Sequence, residues 1–242
     1  MGYPEDYLSE KPRCTLCGDT GYRGDGLCSC LKKYYAQEQI RELSRMLDIG
    51  SQSFDTFELD WYSPDRGSLP RSPRENAQRN LNLCRDFAAR FRPGRENLLL
   101  FGAPGLGKTF LSACIARVVS EDGFSVVYDT AGHVFSQFES AKFRRDDDGD
   151  TAGEDVERCM NCDLLILDDL GSELSTPFVQ SALYTLINTR LTADKRTVIS
   201  SNLTMDQVRA RYTPQIASRL EGEYRVLPFY GEDIRLLRKQ TL

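Results

Sequence analysis

The 242-residue sequence holds no apolar run near the roughly 18 residues that a membrane-crossing helix needs. Its longest apolar block, around Leu164 to Leu167, ends in two aspartates and reads as a buried strand. The first residues, Met1-Gly2-Tyr3-Pro4-Glu5-Asp6, lack the basic and apolar blocks of a secretory leader, so a cytoplasmic location is expected. Excess positive charge is missing too: the formal net charge is −5, which argues against coating nucleic acid wholesale but leaves room for a local basic channel. Histidine is almost absent, with His133 alone, and internal repeats and low-complexity tracts are absent altogether.

Cysteine is present, and unevenly. Of eight cysteines, four fall in the first thirty residues: Cys14 and Cys17 as C-x-x-C, then ten intervening residues, then Cys28 and Cys30. A reducing compartment argues against disulfides. Four thiolates around glycine-rich turns suit tetrahedral, closed, structural Zn²⁺, and metal ligation would replace the apolar core this segment lacks. An iron–sulfur cluster and free thiols are the other readings of the same residues. Cys84 and Cys114 read as small core residues. Cys159 and Cys162 form a second C-x-x-C without a partner pair and read as packing beside the aspartate strand.

A helical pattern is expected over 31–47, an irregular linker follows, and Ser72-Pro73-Arg74-Glu75 carries the cap, proline and third-position glutamate that open a helix running to about Phe91. From Asn97 onward strands and helices alternate. Strands are expected at 98–101, 124–128, 164–167, 197–200 and 224–229. Helices are expected at 108–121, 132–143 and 177–191, with an acidic loop before the third strand and short helical pieces finishing the chain with the last strand. That alternation predicts an α/β domain with a parallel sheet covered on both faces. The expected organisation is a cysteine module and helix at 1–50, a linker at 51–75 and an α/β domain at 76–242.

Gly102-Ala103-Pro104-Gly105-Leu106-Gly107-Lys108-Thr109 matches G-x-x-x-x-G-K-[ST] in full, between an apolar strand and a helix that continues through Phe110. Glycines let backbone N–H groups approach phosphate oxygens, and the helix points its positive end at the same place. Lys108 can reach the β and γ phosphates of ATP, and Thr109 can offer its hydroxyl to Mg²⁺. At the end of the next buried strand but one, Asp168 is placed to hold Mg²⁺ through water and Asp169 to polarise the attacking water. Asn202 follows the neighbouring strand, where an amide could bond the γ-phosphate or the lytic water; asparagine is also frequent in turns.

In that order, the glycine loop, Asp168-Asp169 and Asn202 resemble an AAA+ P-loop ATPase with a three-layer αβα core. The runs Asp163-Leu164-Leu165-Ile166-Leu167-Asp168-Asp169-Leu170-Gly171-Ser172-Glu173 and Val198-Ile199-Ser200-Ser201-Asn202-Leu203 resemble the DnaC/DnaI group of bacterial replicative-helicase loaders, to which the transposition helper IstB is closely related. Cys14 to Tyr22 likewise resembles the zinc module of loaders from Gram-positive bacteria. The resemblance extends from Cys14 to about Lys239. It implies an ATPase that loads the replicative helicase onto single-stranded DNA, with an IstB-like transposition helper as the alternative and a P-loop small-molecule kinase as a more distant one. It implies a head-to-tail oligomer in which Arg219 acts as a finger in the neighbour's site, with Arg211 in reserve. Arg235 would sense nucleotide in cis, Lys142, Phe143, Arg144 and Arg145 would grip DNA, and the N-terminal region would bind the helicase.

Overall fold

The structure, a computed structural model, describes residues 12–46, 52–92, 96–143 and 151–240. It opens on a small hairpin, β1 (Tyr22–Arg23) and β2 (Gly26–Leu27), followed by α1 (Ser29–Met46). Two short 3₁₀ turns, Phe54–Thr56 and Leu59–Trp61, precede α2 (Pro73–Ala89). The α/β alternation then runs β3 (Asn97–Phe101), α3 (Lys108–Glu121), β4 (Val126–Thr130), α4 (Ala131–Phe143), α5 (Thr151–Asn161), β5 (Leu164–Leu170) and α6 (Pro177–Thr192). It ends with β6 (Arg196–Ser201), α7 (Met205–Arg211), α8 (Pro214–Glu223), β7 (Tyr224–Pro228) and α9 (Ile234–Gln240).

Strands β3 to β7 form one parallel sheet in the order β4-β5-β6-β3-β7. Every strand therefore ends at the same edge, where ligands of open α/β sheets bind. Both faces are covered, and the period-2 alternation of a strand divides its residues between them. Leu98 and Leu100 of β3, Leu164 and Ile166 of β5 and Val198 of β6 pack with α2 and α3. Leu99, Leu165, Leu167 and Ile199 face the opposite layer, built by α4 to α8. The expected α/β class and αβα layering are what is found. The cap of α2 is a full capping box between Ser72 and Glu75, and Thr176 caps α6.

One helix lies where the sequence predicts only a loop. Residues 151–161, expected within a loop, form α5, whose buried Ala152 and Cys159 and half-buried Val156 lie at i, i+4 and i+7 on one face. The C-terminal end of α5 is held by Arg190, a fully buried side chain of α6. Its guanidinium donates to the carbonyls of Cys159 (2.7 Å), Met160 (3.2 Å) and Cys162 (3.1 Å), to Thr197 Oγ1 (3.0 Å) and to the Arg196 carbonyl. No carboxylate is among these partners; the charge rests on the negative end of a helix and its orphan carbonyls. Cys159 and Cys162 are packing residues in this layer, and Cys84 and Cys114 are buried in the other.

Replacing Arg190 by Met keeps the apolar stem and strands those carbonyls. The Arg190→Met variant is expected to lose about 3 kcal/mol of folding stability, read from denaturant unfolding; a loss under about 1 kcal/mol would contradict this role.

Candidate nucleotide site

The loop after β3 wraps the N-terminus of α3, with Gly107 capping that helix in the left-handed region (φ 87°). A Cβ on Gly107 would sit 2.7 Å from the Tyr62 hydroxyl, and one on Gly105 (φ 73°) would sit 1.8 Å from Asp233 Oδ1. Only glycine fits these two points, because the chain from both directions closes directly on the loop. The amide groups of the first turn of α3 are left facing the cavity, as phosphate binding requires.

Lys108 is the first residue of α3 and is buried. Its ammonium donates to the carbonyls of Gly102 and Ala103, both at 2.7 Å, and to Asn202 Oδ1 at 2.8 Å. Burial pulls its pKa down to about 8, although Asp168 and Asp169 nearby oppose the shift. Asn202 in turn donates to Asp169 Oδ1 at 2.6 Å. The three elements singled out in the sequence are thus joined by a chain of hydrogen bonds.

The two aspartates reach the same cavity because β5 is irregular there. Its register to β6 shifts between Leu167 and Leu170, and Asp169 adopts φ 57°. In a regular strand consecutive side chains point to opposite faces; a bulge re-aims them. Asp168 accepts from Thr109 Oγ1 (3.1 Å), from Tyr128 and from Ser200. The Tyr128 phenol is held well above its ordinary range, first by burial and then by the Asp168 charge. Tyr128 and Ser200 were not singled out from the sequence, since one hydroxyl inside a buried strand carries no local signal.

The cavity has a volume of about 570 Å³, within the range of small-molecule sites. It is lined by Pro104 to Phe110, Asp168, Asp169 and Asn202. It is lined also by Gln52, Thr56, Phe57, Glu58, Trp61 and Tyr62, from the segment expected to be linker, and by Ile234, Arg235 and Arg238 of α9. Tyr62 donates to the Leu106 carbonyl (3.0 Å), and Phe57 packs on Tyr62 (5.6 Å between centroids) and on Phe110 (5.4 Å). Ile234 N donates to the Gly105 carbonyl (3.1 Å), which docks α9 on the loop. Arg235 lines the cavity and pairs with Asp233 (2.9 Å).

The remaining expected residues lie elsewhere. Arg219 on α8 is half exposed, near Glu223 (3.6 Å), and lines a separate groove with Glu96, Asn188 and Asp194. Arg211 donates to the Glu173 carbonyl. Lys142 stands over the rings of Phe143 (5.7 Å) and Phe178 (5.3 Å), and Phe143 is 65% exposed. Arg144 and Arg145 lie outside the described residues. Cys14, Cys17, Cys28 and Cys30 do converge, with all four Sγ atoms within 4.8 Å of one another, 3.8 Å from Cys14 to Cys28 and 3.5 Å from Cys17 to Cys30. Tetrahedral zinc at about 2.3 Å per thiolate spaces sulfurs about 3.8 Å apart, so the cluster fits that ion. His133 is not part of it; its Nδ1 lies 2.5 Å from Asp129 Oδ2.

A phosphate loop, paired carboxylates and an asparagine at the carboxyl edge of one parallel sheet define the class of P-loop ATPases. The model of the family described as IstB-like ATP binding protein matches residues 75–241. The chain belongs to that family of ATP-binding proteins. Among curated relatives, YdaV of Escherichia coli K12, described as uncharacterized, is 25% identical over 140 residues, covering 58% of this chain and 55% of that protein. The replicative helicase loader DnaI of Bacillus subtilis is 27% identical over 119 residues, covering 49% and 37%. The chain thus matches about half of the first relative and less of the second. A crystal structure of DnaI superposes with a TM-score of 0.60 at 21% identity, over 76% of this chain and 93% of that one, a likeness of fold. No described helix is long and apolar enough to cross a membrane.

Lys108 must be charged to hold a triphosphate. Its free pKa near 8 means that binding takes up a proton above that pH. ATP affinity should then be level at and below pH 7 and fall by up to about tenfold per pH unit above about 8. Calorimetry from pH 7 to 9.5 checks this, and a flat profile would contradict it.

Proposed function

We propose that the chain hydrolyses ATP and uses the cycle to place a replicative DNA helicase on single-stranded DNA. The observation that carries the reading is the joining of Lys108, Asn202 and Asp169 in one hydrogen-bonded line beside Thr109 and Asp168. Mg²⁺ would be held by Thr109 and Asp168 and would neutralise charge on the β and γ phosphates. Asp169 orients and deprotonates the attacking water, Asn202 reports the γ-phosphate to β6, and Lys108 and the loop Gly102 to Thr109 hold the phosphates. Phe110 packs beneath them, and Arg235, on the rim, exchanges Asp233 for phosphate.

Arg219 faces a groove away from its own cavity. A finger there serves the next subunit, which makes the working form a head-to-tail assembly. Cys14, Cys17, Cys28 and Cys30 hold structural Zn²⁺ and so order the module at 1–50, which meets the helicase. The segment 51–75 joins it to the ATPase domain at 76–242. Lys142 and Phe143, with Arg144 and Arg145 beyond, contact DNA by charge and stacking. The location that suits these partners is the cytoplasm. The likeness to a helicase loader and the four-cysteine module support this reading. A transposition helper is the second one, favoured by the family's IstB name; capture of a transposase in place of a helicase would select it.

Four measurements test the proposal. Lys108→Ala should abolish ATP binding, whereas Asp169→Asn should bind ATP and lose at least about a hundredfold in turnover. Mixing Arg219→Ala with Lys108→Ala subunits should restore part of the hydrolysis that each lacks alone; no recovery would reject a finger in trans. A pull-down with the host's replicative helicase, with and without ATP, should retain the helicase and respond to nucleotide. Metal analysis of reduced protein should find about one zinc per chain.

A further inference from the structure

Asp168 and Asp169 are consecutive residues of β5, yet both line one cavity. A regular strand would send them to opposite faces. The change of direction is stored in the backbone of Asp169, at φ 57°, a region that non-glycine residues seldom occupy. Such a conformation persists only where the surroundings hold it, and it clusters at sites where strain serves the chemistry.

Ser200 of β6 supplies the hold from across the sheet. It is buried, and its hydroxyl is engaged twice: Oγ accepts from Asp169 N at 3.0 Å and donates to Asp168 Oδ1. A serine hydroxyl has one proton and two lone pairs, so both bonds exist together. One atom therefore ties the main chain of one aspartate to the side chain of the other. Beyond it, the Asp169 carbonyl accepts from Ser172 N (3.2 Å) and Ser172 Oγ (2.9 Å), and the Asp169 carboxylate accepts from Asn202. Ser201 continues the stitch, donating from Oγ to the Leu170 carbonyl at 2.6 Å where the register shifts. Without the Ser200 hydroxyl, Asp168 would keep two donors, Thr109 and Tyr128, but the strained backbone of Asp169 would be released on its β6 side.

We propose that Ser200 is the positioning residue that aims Asp169 at the attacking water. It acts through the main chain of Asp169, whose left-handed turn sets the direction of the carboxylate. ATP itself is held by Lys108, Thr109, Asp168 and the loop, none of which depends on Ser200 alone. Loss of the hydroxyl therefore falls on turnover and spares affinity. The inference rests on the reading of Asp169 as the base and deepens it.

The test measures ATP affinity by calorimetry and turnover at saturating ATP, on the full chain with Mg²⁺, in two pairs. Wild type is compared with Ser200→Ala, and Ser200→Thr with Ser200→Val, which has the same shape without the hydroxyl. Each hydroxyl-free variant should turn over ATP at least about tenfold more slowly than its partner. Its affinity for ATP should stay within about threefold of that partner's. Either pair decides the matter if a member of the other fails to fold. Adding Ser200→Ala to Asp169→Asn should slow that variant by less than about twofold, because no base is left to aim. Turnover within about twofold in the folded pairs would overturn the inference and leave the base standing. So would a further loss of about tenfold in the double variant, or a fall in affinity equal to the fall in turnover. Wild-type turnover by Asp169→Asn would instead sink the base itself.

Discussion

The ammonium of Lys108 is the point through which the ends of β3, β5 and β6 are connected. It donates to two carbonyls of the loop after β3 and to Asn202 after β6, and Asn202 passes the connection to Asp169 at the end of β5. These side chains come from points far apart in the chain, so their meeting depends on the strand order. Placing β6 directly between β5 and β3 puts Asn202 between the aspartates and the lysine. A charged group drawn into a dry site must be compensated there, and the compensation comes from groups that a triphosphate would replace or reorganise. The same burial that lowers the Lys108 pKa makes its attraction to phosphate stronger than it would be in water.

A second buried cation does a different job. Arg190 has no carboxylate and touches no part of the cavity; its donors are spent on the end of α5 and on β6. It fixes how α5 approaches the strand that delivers Asp168 and Asp169. Lys195, bonded to Asp163 at 2.9 Å, pins the start of β5 from the same side. The start of the strand is therefore fixed by contacts outside the site, while the bulge at Asp169 and the partners of Asp168 aim the carboxylates themselves.

Much of this was legible in the sequence, for stateable reasons. Strands such as Leu98 to Leu100 and Leu164 to Leu167 are buried on both faces and stand out as apolar runs; Ser72 and Thr176 are caps with side-chain chemistry of their own. The loop of 102–109 and the cysteine spacing are local patterns, and locality is what a single sequence preserves. Less legible was whatever depends on distant contacts. The Ala152, Val156 and Cys159 stripe of α5 was masked by the acidic stretch before it. Tyr128 and Ser200 owe their meaning to Asp168, across the sheet from each. The bulge at Asp169 is a property of strand pairing and leaves no composition signal. Residues 52–62 read as linker because Pro64, Gly67 and Pro70 lie just beyond them, yet Tyr62 and Phe57 are what make Gly107 obligatory.

The two segments that close on the phosphate loop are held with unequal strength, and the difference bears on which can move. Tyr62 is buried, bonded to Leu106 and packed on Phe57 and through it on Phe110, and Phe54 is buried in the core, so residues 52–62 are anchored next to α3 at both ends. Helix α9 has no buried residue. It is joined by the Ile234 to Gly105 bond and by Arg238, which stands over the Trp61 ring and forms with Glu58 an exposed ion pair that water screens heavily. A triphosphate offers Arg235 a denser negative charge than Asp233 does. In the proposed cycle, then, the segment 52–62 serves as the fixed reference, and α9 is the element that nucleotide can pull.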